Sequence, residues 1–542
     1  MLKLQKKWRS PNSWSVFKRD DRLLLIIIAV VVGNCSGVAA LALNYILGWS
    51  FDISPTVKHR WWNFIFPGIG AGLSCIFLRW IIREQTGHGV PEVIHNVSRY
   101  GGFMRLRSSF SQLVASALTI GFGGSAGPEA PVVISGASIG SNIASFFSLN
   151  DRQRITLVGC GAAGAIAAIF NAPVAGMFFS IEVILGEWKS FNIIPIGISA
   201  VAGTELSRAL KGNQILFAHH HFELHYLDIL ACAGFALATA VVSVVFARSL
   251  RGMTVISQRV RLPLWIRAAI GGMAVGGVGM MHPMVLGEGY HAVTEAINGQ
   301  FTAGLQIAVI LVIAKILATS LTLGWGGAGG IFAPSLVIGS FVGLAYHRFF
   351  EWVWPLFIGV EEGCFALLGM TGLISGILQA PLTGIFLIVG ITGGYDVILP
   401  LIIVSSLSCA LSRYWEPSSF YLKDLMDKGQ LLHPGTDARV LADLAVPELL
   451  EKDCISVSPD MRLKDFIDIV ATSRRNHFPV EDPQTGLFLG MIHLDDIRPY
   501  LFNAALYEVV LMEQIMNRNP LVVGPEDTLG GKLGKMDERR IF

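Results

Sequence analysis

One carboxylate lies in a stretch of the chain where a charge is costly. The segment Gly121-Phe-Gly-Gly-Ser-Ala-Gly-Pro-Glu-Ala-Pro131 contains Glu129 and is flanked on both sides by strongly apolar sequence. Glycine and proline interrupt a plain spanning helix, so the segment predicts a broken one. A helix break and a buried acid at membrane depth are tolerated where protein or a water-filled path surrounds them. Pro131 suits the first turn of a new helix, whose N-terminal N–H groups attract anions.

The composition indicates a polytopic membrane protein in contact with a lipid bilayer. Hydrophobic residues make up 52% of the 542 residues and charged residues only 15%, and the 59 glycines suit close helix packing. The net charge of +2 gives no information about partners, and no nucleic-acid partner is expected. The seven cysteines form no CxxC pair, so neither a disulfide framework nor a zinc site is expected.

The apolar runs predict short and re-entrant helices rather than a simple bundle of full spans. Many runs are shorter than the roughly 20 residues that a hydrocarbon core of about 30 Å requires. Residues 1–22 contain seven basic side chains and precede a long apolar run. By the positive-inside rule we expect this segment to be cytoplasmic. A cleavable signal is disfavoured because the apolar run continues to Trp49 with no clear cleavage site.

The apolar region contains an internal repeat. Three features recur in the same order about 200 residues later. They are Ala130-Pro131 with Gly136 and Gly140, repeated as Ala333-Pro334 with Gly339 and Gly343; Gly164 with Ala172-Pro173, repeated as Gly372 with Ala380-Pro381; and Gly87-His-Gly89, repeated as Gly287-Glu-Gly289. The pattern predicts two halves, at about 30–211 and 224–425. Inverted repeats with Gly- and Pro-interrupted segments at corresponding places indicate a binding site near the membrane midplane.

The C-terminal part of the chain, residues 430–542, has a different composition. It is charged and mixed, and Ile455-Ser-Val-Ser-Pro459 resembles Leu521-Val-Val-Gly-Pro525 further on. Together with the strand-like run around His477-Phe-Pro-Val480, these segments resemble a pair of CBS (cystathionine β-synthase-type) motifs, the second of which is incomplete. The resemblance implies an α/β fold and a possible adenine-nucleotide ligand. No residue here secures that ligand, and no other cofactor is expected.

The apolar region resembles the CLC family of chloride channels and chloride/proton antiporters over residues 14–429. Gly87-His-Gly-Val-Pro91, Gly127-Pro-Glu-Ala-Pro131 and Gly330-Ile-Phe-Ala-Pro334 are similar to the three signature stretches of that family and occur in the same order. Asn171-Ala-Pro173 and Glu416-Pro-Ser-Ser-Phe-Tyr421 match as well. The resemblance implies an all-α membrane domain over residues 23–429, made of two inverted repeats, followed by a cytoplasmic CBS region.

The same resemblance implies the roles of the site residues. Glu129 is expected to be the gating glutamate, and chloride is expected to be the transported substrate. The backbone N–H groups of Ile331 and Phe332, the Tyr421 hydroxyl and His88 are expected to contact the anion. The remaining signature positions are expected to shape the anion path: Gly87, Gly89, Pro91, Gly127, Pro128, Ala130, Pro131, Gly330, Ala333 and Pro334.

Three departures from the family pattern affect the anion path. His88 stands where the family often has Ser; its ring either binds the anion and makes the site pH-sensitive, or points away and leaves the backbone to serve. Pro128 replaces a family Arg or Lys and lacks an N–H, which is expected to weaken the outer anion site. Ala130 replaces Gly and is expected to restrict the backbone beside Glu129.

A fourth departure concerns proton coupling. Val183 occupies the position where typical antiporters of the family carry the internal proton-accepting acid. Relatives that behave as channels commonly have Val there, whereas some antiporters also lack the acid. We therefore expect a passive chloride channel and keep the chloride/proton antiporter as the alternative. Glu182 is adjacent, and the family position that it matches is usually structural.

Other classes of protein fit the sequence less well. An intramembrane metalloprotease requires an HExxH helix, which the chain lacks, so an enzyme is not expected. A CBS-containing cation transporter should carry several inward-facing carboxylates, whereas the best-marked motif offers Glu129. Fluoride-exporting relatives usually depart from the Tyr motif that Tyr421 keeps. The His-rich run at 219–221 is better explained as a solvated loop than as a metal site, so no metal is expected.

The resemblance also implies assembly and location. We expect a homodimer with one pore in each subunit, placed in a bacterial inner membrane. Both termini are expected to be cytoplasmic.

Overall fold

The helices of the chain occur in two series that follow the same order. The computed structural model describes residues 21–53, 61–83, 89–213, 217, 226–353, 361–427, 454–473 and 475–520. The chain divides into two units, Met1–Leu431 and Leu432–Phe542. The sequence predicted a boundary near residue 429.

Among the described residues, the first series contains eight α-helices. They are α1 (Asp21–Ile53), α2 (Phe66–Ile76), α3 (Val90–Arg99), α4 (Ser108–Gly121), α5 (Glu129–Phe146), α6 (Asp151–Phe170), α7 (Pro173–Phe179) and α8 (Ser190–Lys211). A wider helical turn continues α2 over Phe77–Ile82, and another continues α7 over Ser180–Leu185.

The second series contains nine α-helices in the part of the chain that the structure describes. They are α9 (Tyr226–Arg259), α10 (Leu264–Met281), α11 (Tyr290–Ile297), α12 (Leu305–Gly324), α13 (Phe332–Val353), α14 (Glu362–Leu378), α15 (Pro381–Thr392), α16 (Ile398–Trp415) and α17 (Phe420–Asp427).

Matching glycines pack the corresponding helices of the two series. A Cβ added to Gly136 in α5 would overlap the carbonyl oxygen of Gly161 in α6. In the same way, a Cβ on Gly339 in α13 would overlap the carbonyl oxygen of Gly369 in α14. Small residues at such positions let helix backbones approach closely in a membrane, where lipid offers no hydrophobic drive for association. The repeat seen in the sequence is therefore a repeat of helix packing.

The breaks between helices also correspond. The residues that follow α6 and α14, Asn171 (φ 53°) and Gln379 (φ 55°), both adopt the left-handed conformation that terminates helices. The next helices, α7 and α15, begin with Pro173 and Pro381, whose fixed φ suits a first turn. These breaks explain why many apolar runs are too short to cross a bilayer.

Eight helices in the described part of the chain are long and apolar enough to span a membrane, and shorter apolar helices lie between them. The predicted fold class, an all-α polytopic domain of broken and re-entrant helices followed by an α/β region, is confirmed. The helices α5, α6, α13 and α14 contribute to the core of this domain, and most of their residues are buried.

The helices α1 and α8 run parallel to each other. Gly33 of α1 lies against Ser199, and Gly37, one turn later, lies against Gly203, one turn further along α8. At the far end, Lys211 Nζ lies 5.6 Å from the centre of the Tyr45 ring. The C-terminal end of α8 therefore lies on the face of the domain where α1 ends.

The second unit is a small α/β structure. Helix α18 (Leu463–Thr472) precedes the antiparallel strands β1 (His477–Glu481) and β2 (Phe488–His493), in which Phe478 pairs with Ile492. Phe466 packs edge-on against Phe478 with ring centres 5.0 Å apart. The short helices α19 (Leu494–Ile497) and α20 (Met512–Ile515) follow.

Candidate functional site

The signature stretches of the two halves meet in the middle of the membrane domain. The N–H of Gly127 donates to the carbonyl of Gly330 at 2.8 Å, and the N–H of Gly330 donates to the carbonyl of Gly127 at 2.7 Å. The two residues thus form an isolated antiparallel bridge. Because Gly127 and Gly330 are matching positions of the repeat, the bridge lies on the pseudo-two-fold axis that relates the halves.

Two further hydrogen bonds repeat this symmetry on either side of the bridge. The backbone N–H of Ser125 donates to Oγ1 of Thr322 at 3.0 Å, and the backbone N–H of Ala328 donates to Oγ1 of Thr119 at 3.1 Å. Each bond uses a threonine of one half to satisfy a buried amide of the other. The start of α5 and the start of α13 are therefore held face to face.

Glu129 begins α5, and its carboxylate lies at the start of α13. The side chain is 1% exposed. Its Oε2 accepts a hydrogen bond of 3.4 Å from the backbone N–H of Ala333, and its Oε1 accepts one of 2.6 Å from the Tyr290 hydroxyl. The N-terminus of a helix favours a negative charge through its free amides and its dipole. The carboxylate therefore occupies a position suited to an anion.

The motif glycines leave room for this arrangement. A Cβ on Gly127 would overlap Oε2 of Glu129, and a Cβ on Gly330 would lie 2.9 Å from that of Ala130. Ala130, Pro131, Ala333 and Pro334 are buried in the first turns of the two helices. Pro128 precedes α5 and has no N–H to offer an anion.

Three predicted anion contacts lie in the same region. Ile331 and Phe332 are buried at the start of α13, where the Phe332 ring packs against Phe170 at 5.5 Å. Tyr421 is buried at the start of α17 and interacts electrostatically with Glu129. Helix α17 contacts α3, whose first turn contains Pro91. The structure thus brings Glu129, the start of α13 and Tyr421 together.

The remaining signature stretch is described only in part. Gly89 precedes α3 with φ 79°, a left-handed value that glycine adopts without cost, and a Cβ there would lie 2.6 Å from Ile134 of α5. Gly87 and His88 lie outside the described residues, and so does the His-rich run at 219–221.

Glu182 and Val183 lie on the helical turn that continues α7. The Glu182 carboxylate accepts hydrogen bonds from the backbone N–H of Thr383 at 2.9 Å and from its hydroxyl at 2.8 Å, and from the N–H of Leu382 at 3.3 Å. It therefore caps the N-terminus of α15. Val183 packs against the hydrophobic core.

Sequence reasoning missed three side chains, of which two interact with Glu129 and the third interacts with one of these two. Tyr290 contacts the carboxylate directly. Glu288 interacts electrostatically with Glu129 and with Lys315, which is completely buried in α12. A lysine within the apolar run 305–323 was a signal available from sequence alone, because ionisable residues inside spanning segments mark functional sites. Tyr290 gave no such signal, since tyrosine is common at the ends of membrane helices.

Comparison with protein-family models identifies the family of the chain. A family model described as "Voltage gated chloride channel" matches residues 70–413, and a CBS domain model matches residues 446–503.

Two curated proteins illustrate the relationship. The chain is 26% identical to "Chloride channel protein CLC-f" of Arabidopsis thaliana, over 89% of this chain and 70% of that protein. It is 28% identical to "Putative chloride channel protein ClcB-like" of Ralstonia nicotianae, over 70% of this chain and 91% of that protein.

Solved structures share the fold. A slow cyanobacterial Cl⁻/H⁺ antiporter superposes with a TM-score of 0.67 at 23% identity, covering 75% of this chain and 98% of that one. A eukaryotic CLC transporter gives a TM-score of 0.65 at 18% identity, covering 96% of this chain and 94% of that one. Since the first family model covers more than half of the sequence, the chain belongs to the voltage-gated chloride channel (CLC) family, is an integral membrane protein that transports anions, and carries a C-terminal CBS domain.

Proposed function

We propose that the membrane domain is a passive chloride channel gated by Glu129. The observation that carries this proposal is the position of the Glu129 carboxylate, which accepts the backbone N–H of Ala333 at the start of α13. In this state the carboxylate fills the place that a permeating anion would take. Protonation removes its charge, and chloride competes for the same amides, so either event releases the side chain and opens the path.

The donor chemistry around Glu129 suits chloride. Conduction requires binding that is weak enough to let the ion leave, and backbone amides and hydroxyls supply partial charges rather than full ones. The N–H groups of Ile331 and Phe332, the Tyr421 hydroxyl and His88 are the donors in this proposal. Pro128 and Ala130 add no charge at the outer approach, which favours fast release of the ion there.

The surroundings of Val183 support passive transport over exchange. A valine has no proton to give, and the carboxylate of its neighbour Glu182 is occupied by Thr383 and Leu382 at the start of α15. Neighbouring residues on a helical turn also point in different directions, so Glu182 does not simply replace an acid at position 183. Chloride/proton antiport is the alternative, because Glu129 is itself able to carry a proton.

Proteoliposomes with a chloride gradient and no pH gradient test the proposal. A channel sets the membrane potential by chloride alone and moves no protons uphill. Sustained uphill proton movement that Glu129→Gln abolishes would contradict the channel, establish the antiporter and leave the family assignment intact. Glu205→Gln is the matched control, because this exposed carboxylate pairs with Arg208 on α8, away from the site.

The proposal extends to assembly and placement. The protein acts as a homodimer with one anion path in each subunit, in a bacterial inner membrane with both termini cytoplasmic. Cross-linking in native membranes tests the dimer. Cysteine labelling from either side of the membrane tests the orientation, with Cys35 and Cys454 removed first because they are the exposed cysteines among the described residues.

A further inference from the structure

A group of charged side chains lies on one side of Glu129. Lys315 is fully buried within α12, and it interacts electrostatically with Glu288. Glu288 also interacts with Glu129 and with Lys211 at the end of α8. Charges inside a membrane domain are expensive and persist where they pair with one another and serve a function. Two lysines therefore balance the two carboxylates.

Lys315 fixes the backbone that carries Glu288. Its Nζ donates hydrogen bonds of 2.9 Å to the carbonyls of Val285 and Gly287. A Cβ on Gly289 would lie 3.2 Å from the same Nζ. The loop before α11 is thus wrapped around the ammonium group. This contact holds Glu288 and Tyr290 in a fixed position relative to the gate.

The two carboxylates differ in their access to solvent. Glu129 is 1% exposed, whereas Glu288 is partly exposed. Tyr290 lies two residues after Glu288 and donates its hydroxyl to Oε1 of Glu129. On this side of the domain, Glu288 is therefore the carboxylate that is more accessible to solvent.

The side of the membrane follows from the helix directions. Lys211 lies at the end of α8, and α8 ends on the face where α1 ends. The Glu288 group is therefore on the face opposite the start of α1. We call this face the outer face, because the basic segment that precedes α1 is expected in the cytoplasm.

We propose that Glu288 is the proton-exchange group of the outer face and delivers protons to Glu129. The Tyr290 hydroxyl gives its proton to the Glu129 carboxylate and receives one from the Glu288 carboxyl. Glu288 thus loses one proton, Glu129 gains one, and Tyr290 stays neutral. Glu288 then takes its next proton from outer water. The charged and titratable groups that face it are Glu129 on α5, Lys211 on α8, Lys315 on α12 and Tyr290 on α11. This inference rests on the proposed gating role of Glu129.

Excised patches containing the full-length protein test the relay, with the pH stepped on one face at a time. In the wild type, we expect the current to rise faster after an outer acid step than after an inner one. Glu288→Gln should slow the outer response by on the order of tenfold or more, since a positioned acid or base accelerates proton transfer by that much or above. The final current at acid pH should stay unchanged, because Glu129 still receives its proton.

Imidazole in the outer solution separates a relay from a structural role. A mobile proton carrier should restore the fast rise in Glu288→Gln, whereas it cannot repair misplaced packing. Glu288→Asp, which keeps a carboxyl group, should give an intermediate rate. The control is Glu295→Gln, on the helix α11 that follows Glu288; its carboxylate pairs with His291 at 3.2 Å, and the variant should behave as the wild type.

The outcomes distinguish the relay from the gate. If the current of Glu288→Gln rises as fast as that of the wild type after an outer acid step, the relay is overturned. It is also overturned if the variant responds slowly and imidazole does not restore the fast rise. If the wild-type current rises equally fast after outer and inner acid steps, the relay is overturned. This test needs no variant, so it holds even if Glu288→Gln fails to fold. Persistence of the acid response in Glu129→Gln would instead refute the gating role on which the inference rests.

Discussion

The hydroxyl of Tyr290 donates a 2.6 Å hydrogen bond to Oε1 of Glu129, across 161 residues of sequence. The other carboxylate oxygen accepts the backbone N–H of Ala333. The carboxylate is therefore held from two elements at once, α11 and α13. Under the proposed function, these two bonds stabilise the closed state of the channel.

Tyr290→Phe should shift the equilibrium toward the open state. A hydrogen bond to a charged group contributes about 1.5–3 kcal/mol, so its loss should raise the ratio of open to closed channels about tenfold or more. Single-channel recording at neutral pH measures the open probability. Tyr346→Phe is the control, because that hydroxyl bonds the Ala231 carbonyl at 3.0 Å, outside the gate. Equal open probabilities in the two variants would contradict a closing role for Tyr290.

Gly127→Ala should displace the gate sterically. The new methyl group would overlap Oε2 of Glu129, so the carboxylate must leave the amide of Ala333. We expect flux that is high at neutral pH and little increased by acid. Gly277→Ala provides a control, since a Cβ there meets open space. Strong acid activation retained in Gly127→Ala would show that the side chain accommodates the methyl group while closed.

Local sequence pattern predicted Glu129, the motif glycines and the broken helices, because each depends on a short run of residues. Gly127 and Gly330 were recognised in separate motifs, and the structure joins them through their backbone bridge. Tyr290 was missed because its contact joins distant parts of the chain. Lys315 was visible as a charge in an apolar run, but its partners are backbone carbonyls, which no side-chain pattern reveals.

Glu182→Ala should destabilise the membrane domain while leaving its ion selectivity unchanged. The carboxylate satisfies two backbone amides and a hydroxyl at the start of α15, and leaving such groups unpaired costs about 1–3 kcal/mol. Thermal unfolding in detergent and permeability ratios in bilayers measure the two effects. Glu187→Ala is the control, because Glu187 forms an ion pair with Lys189, and the Lys189 side chain is largely exposed. Altered permeability ratios in Glu182→Ala would place this residue in the anion path.

Acid should loosen the second unit near Glu508. Hydrogen bonds from Lys464 and Arg462 lower the pKa of the Glu508 carboxyl below its ordinary value. The ionised form is the one that folding stabilises, so this contribution is present above the ordinary glutamate pKa and is lost as the pH falls through the lowered one. The hydrogen-exchange protection factors of the amides in α18, which divide out the intrinsic slowing of exchange in acid, should therefore fall at acid pH.

Glu508→Gln removes the titration of that group. The protection factors of the α18 amides should therefore depend less on pH in this variant than in the wild type. The effect should be small, because the pair is exposed to solvent. Glu513→Gln, which removes another exposed carboxylate of the same unit, is the control. An acid dependence that Glu508→Gln leaves intact would assign the loosening to a different carboxyl group.

Glu129→Gln should abolish the acid activation of chloride flux. Glutamine has the shape of the protonated acid and carries no charge, so it mimics the released gate at every pH. The chloride flux of this variant should be high at neutral pH and change little on acidification, whereas wild-type flux rises. Flux through reconstituted protein at stepped pH measures both, with Glu205→Gln as the carboxylate control. A Glu129→Gln protein whose flux follows the wild-type pH curve would mean that the carboxylate at the start of α13 is a permanent helix cap, and that the gate lies elsewhere in the anion path.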